Sequence, residues 1–169
     1  ESDIFMAASA DSVIADLNAE LGAGKKDCWQ QAQRKEVKVD PTRVTMDQLA
    51  VSLRAAFDDP DKVSLAAICR GWTADLWPFR HPRAYLGKDG GGGIGSGPSL
   101  SIGAAVGNLD KGLYTVSVLG DGDFAMGGHA IWTAARHRIP LLVLLNNNRS
   151  YFNDELHQET IAVRRERPP

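Results

Sequence analysis

Residues 114–148 constrain the fold more than any other part of the chain. An apolar run at 114–119 (YTVSVL) reads as a buried strand, and it ends in Gly120-Asp121-Gly122, two glycines flanking a carboxylate. A helical pattern follows near 127–137, Pro140 breaks it, and a second apolar run at 141–145 ends in Asn146-Asn147-Asn148. Strand, helix, strand within about thirty residues is one βαβ unit, whose strands are parallel neighbours. The carboxyl ends of such strands lie side by side, on the edge where open α/β sheets bind ligands. Asp121 and Asn148, 27 positions apart in sequence, are therefore expected to converge.

Residue types set the chemistry of that point. A carboxylate oxygen and an amide oxygen are hard ligands of the kind Mg²⁺ or Ca²⁺ accepts, and Mg²⁺ usually completes its shell with phosphates and water. Gly122 permits close backbone approach, and the helix that follows presents free N–H groups and a positive dipole end to an anion. A metal held at the start of a helix suits a diphosphate.

A second informative stretch, DGGGGIGSG at 89–97, places five glycines within 90–95, so the backbone must touch something or adopt left-handed angles. Pro98 suits the first position of a helix, which Leu100, Ala104 and Gly107 continue. Gly90, Gly92 and Gly95 also satisfy the G-x-G-x-x-G pattern of dinucleotide sites. No convincing strand precedes them, and no carboxylate ends a strand about twenty residues later, so nicotinamide binding is the weaker option.

These residues resemble the thiamine-diphosphate-dependent enzymes. GDG, 24 intervening residues and then Asn147-Asn148 is similar to that family's cofactor signature. The stretch AIWTAA at 130–135, followed by Ile139-Pro140, is most similar to its decarboxylase and acetolactate-synthase group. Pairing the asparagines as Asn146-Asn147 leaves only 23 residues, slightly short of the family's usual gap, which favours Asn148. The resemblance implies that Asp121, the Asn148 amide oxygen and the Ser150 main-chain oxygen hold Mg²⁺, with two diphosphate oxygens and a water. It also implies cofactor contacts from Gly120, Gly122, the Asp123 backbone N–H and the backbone of Tyr151. Asp123 stands where the family often has a small or hydroxyl residue. A carboxylate beside a diphosphate would repel it, so this side chain is expected to turn outward. The glycine-rich segment resembles the family's G-x-[bulky]-G-x-G loop, and Ile102-Gly103-Ala104-Ala105 the end of its helix. Ile94 would then wedge beneath the cofactor and bend it, with the Gly92 carbonyl and Ile94 N–H meeting the aminopyrimidine.

Composition limits the other function classes. The net charge of −2 gives no electrostatic case for nucleic acid or a membrane surface, and no run is long enough to span a bilayer. The N-terminus does not read as a signal peptide, and the missing initiator Met suggests a fragment or a processed chain. Cys28 and Cys69 show no metal-ligand spacing, and Cys69 ends an apolar run as a buried thiol would, which fits a reducing cytoplasm.

Ahead of the central unit, residues 1–24 hold one short strand (3–7) and one helix, with Val13, Ile14, Leu17 and Leu21 as an apolar stripe and Gly22 and Gly24 stopping it. The resemblance implies that they are the tail of a central domain. Residues 25–40 are polar and read as a linker, leaving 41–169 as the diphosphate domain, truncated before its last strands. Thr45-Met46-Asp47-Gln48 is a capping-box pattern ahead of Leu49, Leu53 and Phe57 at helical spacing, and 63–69 is a further buried strand. Trp72, Trp77 and Phe79 read as packing beneath a loop rather than as a substrate pocket. After Asn148, residues 151–159 read as a loop and short helix over the site. Glu155 and His157 on it are candidate acid/base groups, whereas His129 and His137 read as structural.

The expected fold is thus α/β, a doubly wound, largely parallel sheet with flanking helices. The implied activity is decarboxylation or carboligation of a 2-keto acid, in a homodimer or homotetramer. The resemblance implies that the glutamate activating the cofactor lies on a separate pyrimidine-binding domain of the same or a partner subunit, so the chain alone is expected to be inactive. Two alternatives remain open. Asp121-Gly122-Asp123 after a strand resembles the nucleophile pair of haloacid-dehalogenase phosphatases, although Ala125 stands where Thr or Val is wanted. The same fold could also serve as a non-catalytic scaffold module.

Overall fold

Three strands, all parallel, form the centre of the computed structural model, which describes residues 7–22, 36–72, 75–87 and 93–168. They are β1 (Val63–Ala67), β2 (Tyr114–Gly120) and β3 (Leu142–Asn146), in the spatial order β1-β2-β3. The chain divides into two compact units, residues 1–33 and 34–169. In the first, helix α1 (Ala10–Leu21) starts on Ser9, whose hydroxyl accepts the Ser12 N–H, and ends at Gly22 in a left-handed conformation. Ile14, Leu17 and Leu21 are exposed on it. The strand expected at 3–7 and the linker expected at 25–40 lie largely outside the described residues, as do Cys28 and Gly92.

The second unit contains the sheet. Helix α2 (Met46–Ala55) begins with the capping box that its sequence announces: Thr45 Oγ1 accepts the Gln48 N–H at 3.2 Å, and Gln48 Oε1 accepts the Thr45 N–H at 2.9 Å. Its Leu53 packs with Val63 and Leu65 of β1, Val116 of β2, and Trp77. Trp72 and Tyr85 join from the loops, so Trp72 and Trp77 pack in and against the core, while Phe79 stays exposed and stacks on Tyr85. Residues 84–86 strap the outer edge of β1, with Leu65 N–H donating to Ala84 O and Leu86 N–H donating to Leu65 O.

Side chains alternate across a strand, so the neighbours of Val116 point to the opposite face. There β2 offers Thr115 and Ser117 to helix α3 (Gly97–Asn108). Asn108 Nδ2 donates to Thr115 Oγ1 at 3.1 Å, and Ser117 Oγ donates to Ser101 Oγ at 2.7 Å. Ser101 passes its own proton to Gly97 O at 2.6 Å. The run from Ser117 through Ser101 to the Gly97 carbonyl fixes the start of α3 on the sheet, each hydroxyl in it finding a partner. With α2 on one face and α3 on the other, the expected α/β architecture is borne out: three parallel strands flanked by helices.

Between β2 and β3 the connection is helical from its first residue: α4 (Asp121–Gly127), a 3₁₀ turn (Gly128–Ala130) and α5 (Ile131–His137). Arg138, left-handed at φ 54°, closes α5, and Pro140 stops further helix. The helix expected from residue 127 thus begins six positions earlier, because Gly120 is extended and Asp121 already turns. After β3, helix α6 (Phe152–Arg164) is longer than expected and carries no buried residue.

Leu65 is fully buried at the centre of the core, whereas Val163 on α6 is 71% exposed. Leu65→Ala is expected to lower unfolding free energy by roughly 2–5 kcal/mol. Val163→Ala should stay within about 0.5 kcal/mol of the parent chain. Urea denaturation followed by tryptophan fluorescence measures both.

Candidate functional site

Gly120 and Asn146 are register partners, so β2 and β3 end level. The residues that follow them, Asp121 on one strand and the Asn147–Arg149 loop on the other, therefore emerge side by side. Asp121 Oδ2 accepts the Arg149 N–H at 2.9 Å, across 28 positions of sequence. The same N–H reaches Asn147 Oδ1 at 3.1 Å. A carboxylate oxygen and an amide oxygen from two strands thus aim at one electropositive hydrogen. Asn148 Oδ1, one residue on, accepts the Ser150 N–H at 3.1 Å. Both asparagines close turns on the N–H two residues ahead, the usual habit of that side chain. Arg149 sits at φ 58°, the left-handed region such a loop requires.

Hard oxygen donors dominate this corner: the Asp121 carboxylate, two amide oxygens and the loop carbonyls. That set suits Mg²⁺, which takes oxygen ligands and few carboxylates when phosphates complete its shell. Among the described residues there is no cluster of three or more His, Cys, Asp or Glu that could hold a metal.

One expectation is corrected by the geometry. Asp123 does not turn outward. Its Oδ1 accepts the Gly95 N–H at 2.5 Å and lies 3.5 Å from the Gly97 N, so the half-buried carboxylate ties the glycine-rich loop to the first turn of α4. Backbone N–H donors supply what solvent would otherwise provide, which is why the inward position is tolerated. The missing Cβ of Gly122 makes room for the ring of Tyr151, whose hydroxyl lies 3.4 Å from Gly122 O. The Tyr151 side chain, not only its backbone, therefore borders the site.

Ser150 Oγ donates to Glu155 Oε1 at 2.7 Å, so Glu155 steadies the loop from α6. Arg70, just past β1, reaches Asn153 Oδ1 at 2.5 Å and fixes the start of α6 to the sheet edge. His157, His129 and His137 are exposed. Ile94 is 47% exposed beside the Asp123-held Gly95, and Gly92 lies outside the described residues. Cys69 is half-buried at the end of β1. Burial pushes its thiol above the usual range, partly opposed by hydrogen bonds from its own backbone and the Asn146 side chain. An apolar cavity of about 420 Å³ opens elsewhere, between α5 and the exposed flank of β3 (Ile131, Ala134, Ile139, Val143 and Leu145), with none of the oxygen donors.

Sequence reasoning pairs Asp121 with Asn148, whereas in the structure Asp121 shares the Arg149 N–H with Asn147 Oδ1 and Asn148 Oδ1 takes the Ser150 N–H. It also missed the Asp123 clamp. A carboxylate replacing a small residue opposite a glycine-rich loop was the available signal. Asp121 and Asp123 accept N–H groups from different loops, the first from Arg149 and the second from Gly95.

The chain has clear relatives. The family model for "Thiamine pyrophosphate enzyme, C-terminal TPP binding domain" matches residues 66–167. Acetolactate synthase 3, chloroplastic, of Brassica napus is 36% identical over 77 residues, 46% of this chain and 12% of that protein. The acetolactate synthase isozyme 1 large subunit of Escherichia coli (strain K12) is 35% identical over 77 residues, 46% of this chain and 13% of its own. A solved structure described as a thiamin diphosphate-dependent enzyme from Mycobacterium smegmatis superposes with a TM-score of 0.56 at 30% identity, covering 66% of this chain and 22% of that one. The chain thus spans only a small part of these proteins' length. With a match over most of its residues and parallel strands that end in the acidic and asparagine turns, the chain belongs to the thiamine pyrophosphate enzymes and carries their C-terminal cofactor-binding domain.

Proposed function

We propose that the chain is the Mg²⁺- and diphosphate-binding part of a thiamine-diphosphate-dependent enzyme acting on 2-keto acids by decarboxylation or carboligation, as the acetolactate synthases among its relatives suggest. The observation that carries this is the convergence of Asp121 and the Asn147–Arg149 loop on a single N–H. In the proposed bound state Asp121, the Asn148 amide oxygen and the Ser150 carbonyl hold the ion. Asn148 must then release the Ser150 N–H, a side-chain rotation at an exposed loop. The backbones of Gly120, Gly122, Asp123 and Tyr151 lie along the same edge as candidate diphosphate contacts. Ile94 and Gly92 are proposed to support the thiazolium–pyrimidine bend.

Bound cofactor would supply a nucleophilic carbon and an electron sink for the 2-keto acid. This chain's residues would bind and orient it: Asp121 and the loop after β3 would hold the ion that offsets the diphosphate charge, and Tyr151 and Ile94 would border the cofactor. Proton relay at the pyrimidine is assigned to a glutamate of a pyrimidine-binding domain, in the same or a partner subunit of a homodimer or homotetramer. Residues 1–24 are the tail of a preceding domain in this reading, 25–40 a linker, and 41–169 the cofactor domain. Free thiol chemistry at Cys69 fits a reducing compartment such as the cytoplasm. Among the described residues no helix is long and apolar enough to cross a membrane.

Calorimetry with thiamine diphosphate at fixed Mg²⁺ tests the ligand assignment. Asp121→Ala and Asn148→Ala are each expected to weaken binding at least ~10-fold, the loss typical of disturbing a metal site. Asn147→Ala should cost less than ~3-fold on the same scale. A larger loss at Asn147 than at Asn148 would move the ligand to the other asparagine. Chelating Mg²⁺ should abolish cofactor binding altogether. Pyruvate consumption by the chain alone, with cofactor and Mg²⁺, is expected to stay at background. Steady turnover would contradict the assignment of the activating glutamate to another domain.

A further inference from the structure

The contacts of Asp123 reach further than its own helix. Its Oδ1 receives the Gly95 N–H at 2.5 Å, with the Gly97 N 3.5 Å away, while Oδ2 fills the space where a Cβ on Gly97 would stand. On the far side Gly95 O occupies the place of a Cβ on Gly127, so the 95–97 backbone lies directly against α4. Gly95 holds φ +98°, which lets its N–H face the carboxylate. The loop is gripped from below as well: Ser101 Oγ donates to Gly97 O at 2.6 Å and receives the Ser117 proton at 2.7 Å. Ser96 Oγ closes the upper turn on Gly93 O at 2.8 Å. Residues 95–97 therefore have three attachments, to β2 through the serines, to α3 through the chain, and to α4 through Asp123.

These attachments bear on the site because of what flanks them. Ile94 is joined directly to Gly95, and Asp121 lies two residues before Asp123 on the same turn. One carboxylate thus sets the separation between the wedge side of the site and its ion-binding side. Electrostatics alone would exclude a carboxylate next to an intended diphosphate. Its charge is instead spent on backbone donors of the loop, where hydrogen bonds to an ionised acceptor are about twice as strong as neutral ones.

We propose that Asp123 is a positioning residue that clamps the Gly95–Gly97 loop onto α4 and so fixes Ile94 relative to Asp121. Its side chain confers affinity for the ring system of thiamine diphosphate, while any contact with the phosphates is left to its backbone N–H, which a side-chain substitution keeps. The proposal rests on the thiamine-diphosphate reading of the site.

Two variants separate the roles. Asp123→Ser is too short to reach Gly95, whereas Asp123→Asn keeps an oxygen acceptor and loses the charge. Binding is measured for Mg²⁺ with thiamine diphosphate and, separately, for Mg²⁺ with inorganic pyrophosphate. Asp123→Ser should weaken thiamine diphosphate roughly 10-fold, and Asp123→Asn about 3-fold, in line with losing or weakening one charged hydrogen bond. Pyrophosphate affinity should stay within about 2-fold in both, since the phosphate contacts are unchanged. Without ligand, amide exchange at 93–97 should accelerate in the serine variant and less in the asparagine variant, with 114–120 unchanged. Thiamine diphosphate affinity within 2-fold of the parent in both variants would overturn the proposal. So would a proportional loss for both ligands, which would place Asp123 at the phosphates or in general stability. Failure of the parent chain to take Mg²⁺ and pyrophosphate would instead sink the proposed function, and the positioning role with it, whatever the exchange rates.

Discussion

Two parallel strands that stop at the same level are the constraint on which the rest depends. Because Gly120 pairs with Asn146, the first residue beyond each strand lies at a common edge. A turn begins at once on both sides: into a helix after Gly120, and into asparagine-capped loops after Asn146. Shifting either strand by one residue would flip its side chains to the opposite face and carry Asp121 away from the loop. Register is pinned by unlike faces, with Val116 in the apolar cluster under α2 and Thr115 and Ser117 hydrogen-bonded to α3. Core packing and site geometry are therefore one problem, solved by the alternation along β2.

Above this edge the binding elements are loops, and loops need fastening. Some are held by a side chain that caps a backbone N–H and others by a pair of side chains. Asp121 holds the Arg149 N–H, Asn147 and Asn148 close their own turns, and Glu155 takes the Ser150 hydroxyl. Asp123 holds Gly95, and Arg70 ties α6 to the end of β1 through Asn153. Such contacts are individually modest, near 1 kcal/mol for a neutral pair and about 1.5–3 kcal/mol for a charged one. Their effect is to remove freedom before a ligand arrives, which is how preorganisation raises affinity.

Much of this was legible in the residues. The apolar runs located all three strands, and Thr45 with Gln48 located the start of α2. Pro98 placed α3 within one residue, because a ring nitrogen with no proton fits only the first turn. That the residue after β2 and the loop after β3 share one edge follows from βαβ geometry, but the choice of partner does not: spacing names Asn148, while Asn147 shares the Arg149 N–H with Asp121. What could not be read was orientation. Repulsion from a phosphate pointed Asp123 outward, but backbone donors across 28 positions of sequence turned it in, and no local pattern records them. The start of α4 was missed for a related reason: Gly120-Asp121-Gly122 reads as a turn, yet its second residue is already helical because β2 and β3 must be joined by a helix lying close to the sheet. Tyr151 over Gly122 is likewise a tertiary contact, invisible to spacing.

The central claim is that one divalent ion is shared between the ends of β2 and β3. Locating that ion tests it most directly: crystals of the chain with thiamine diphosphate and Mn²⁺ in place of Mg²⁺, with the metal found by its anomalous scattering. The account expects a single ion at oxygen-ligand distances, roughly 2.0–2.2 Å for a cation of this kind. Its ligands should be an Asp121 oxygen, the Asn148 amide oxygen and the Ser150 carbonyl. An ion bound away from Asp121, or one that touches Asp121 while no oxygen of the loop after β3 joins it, would contradict the account.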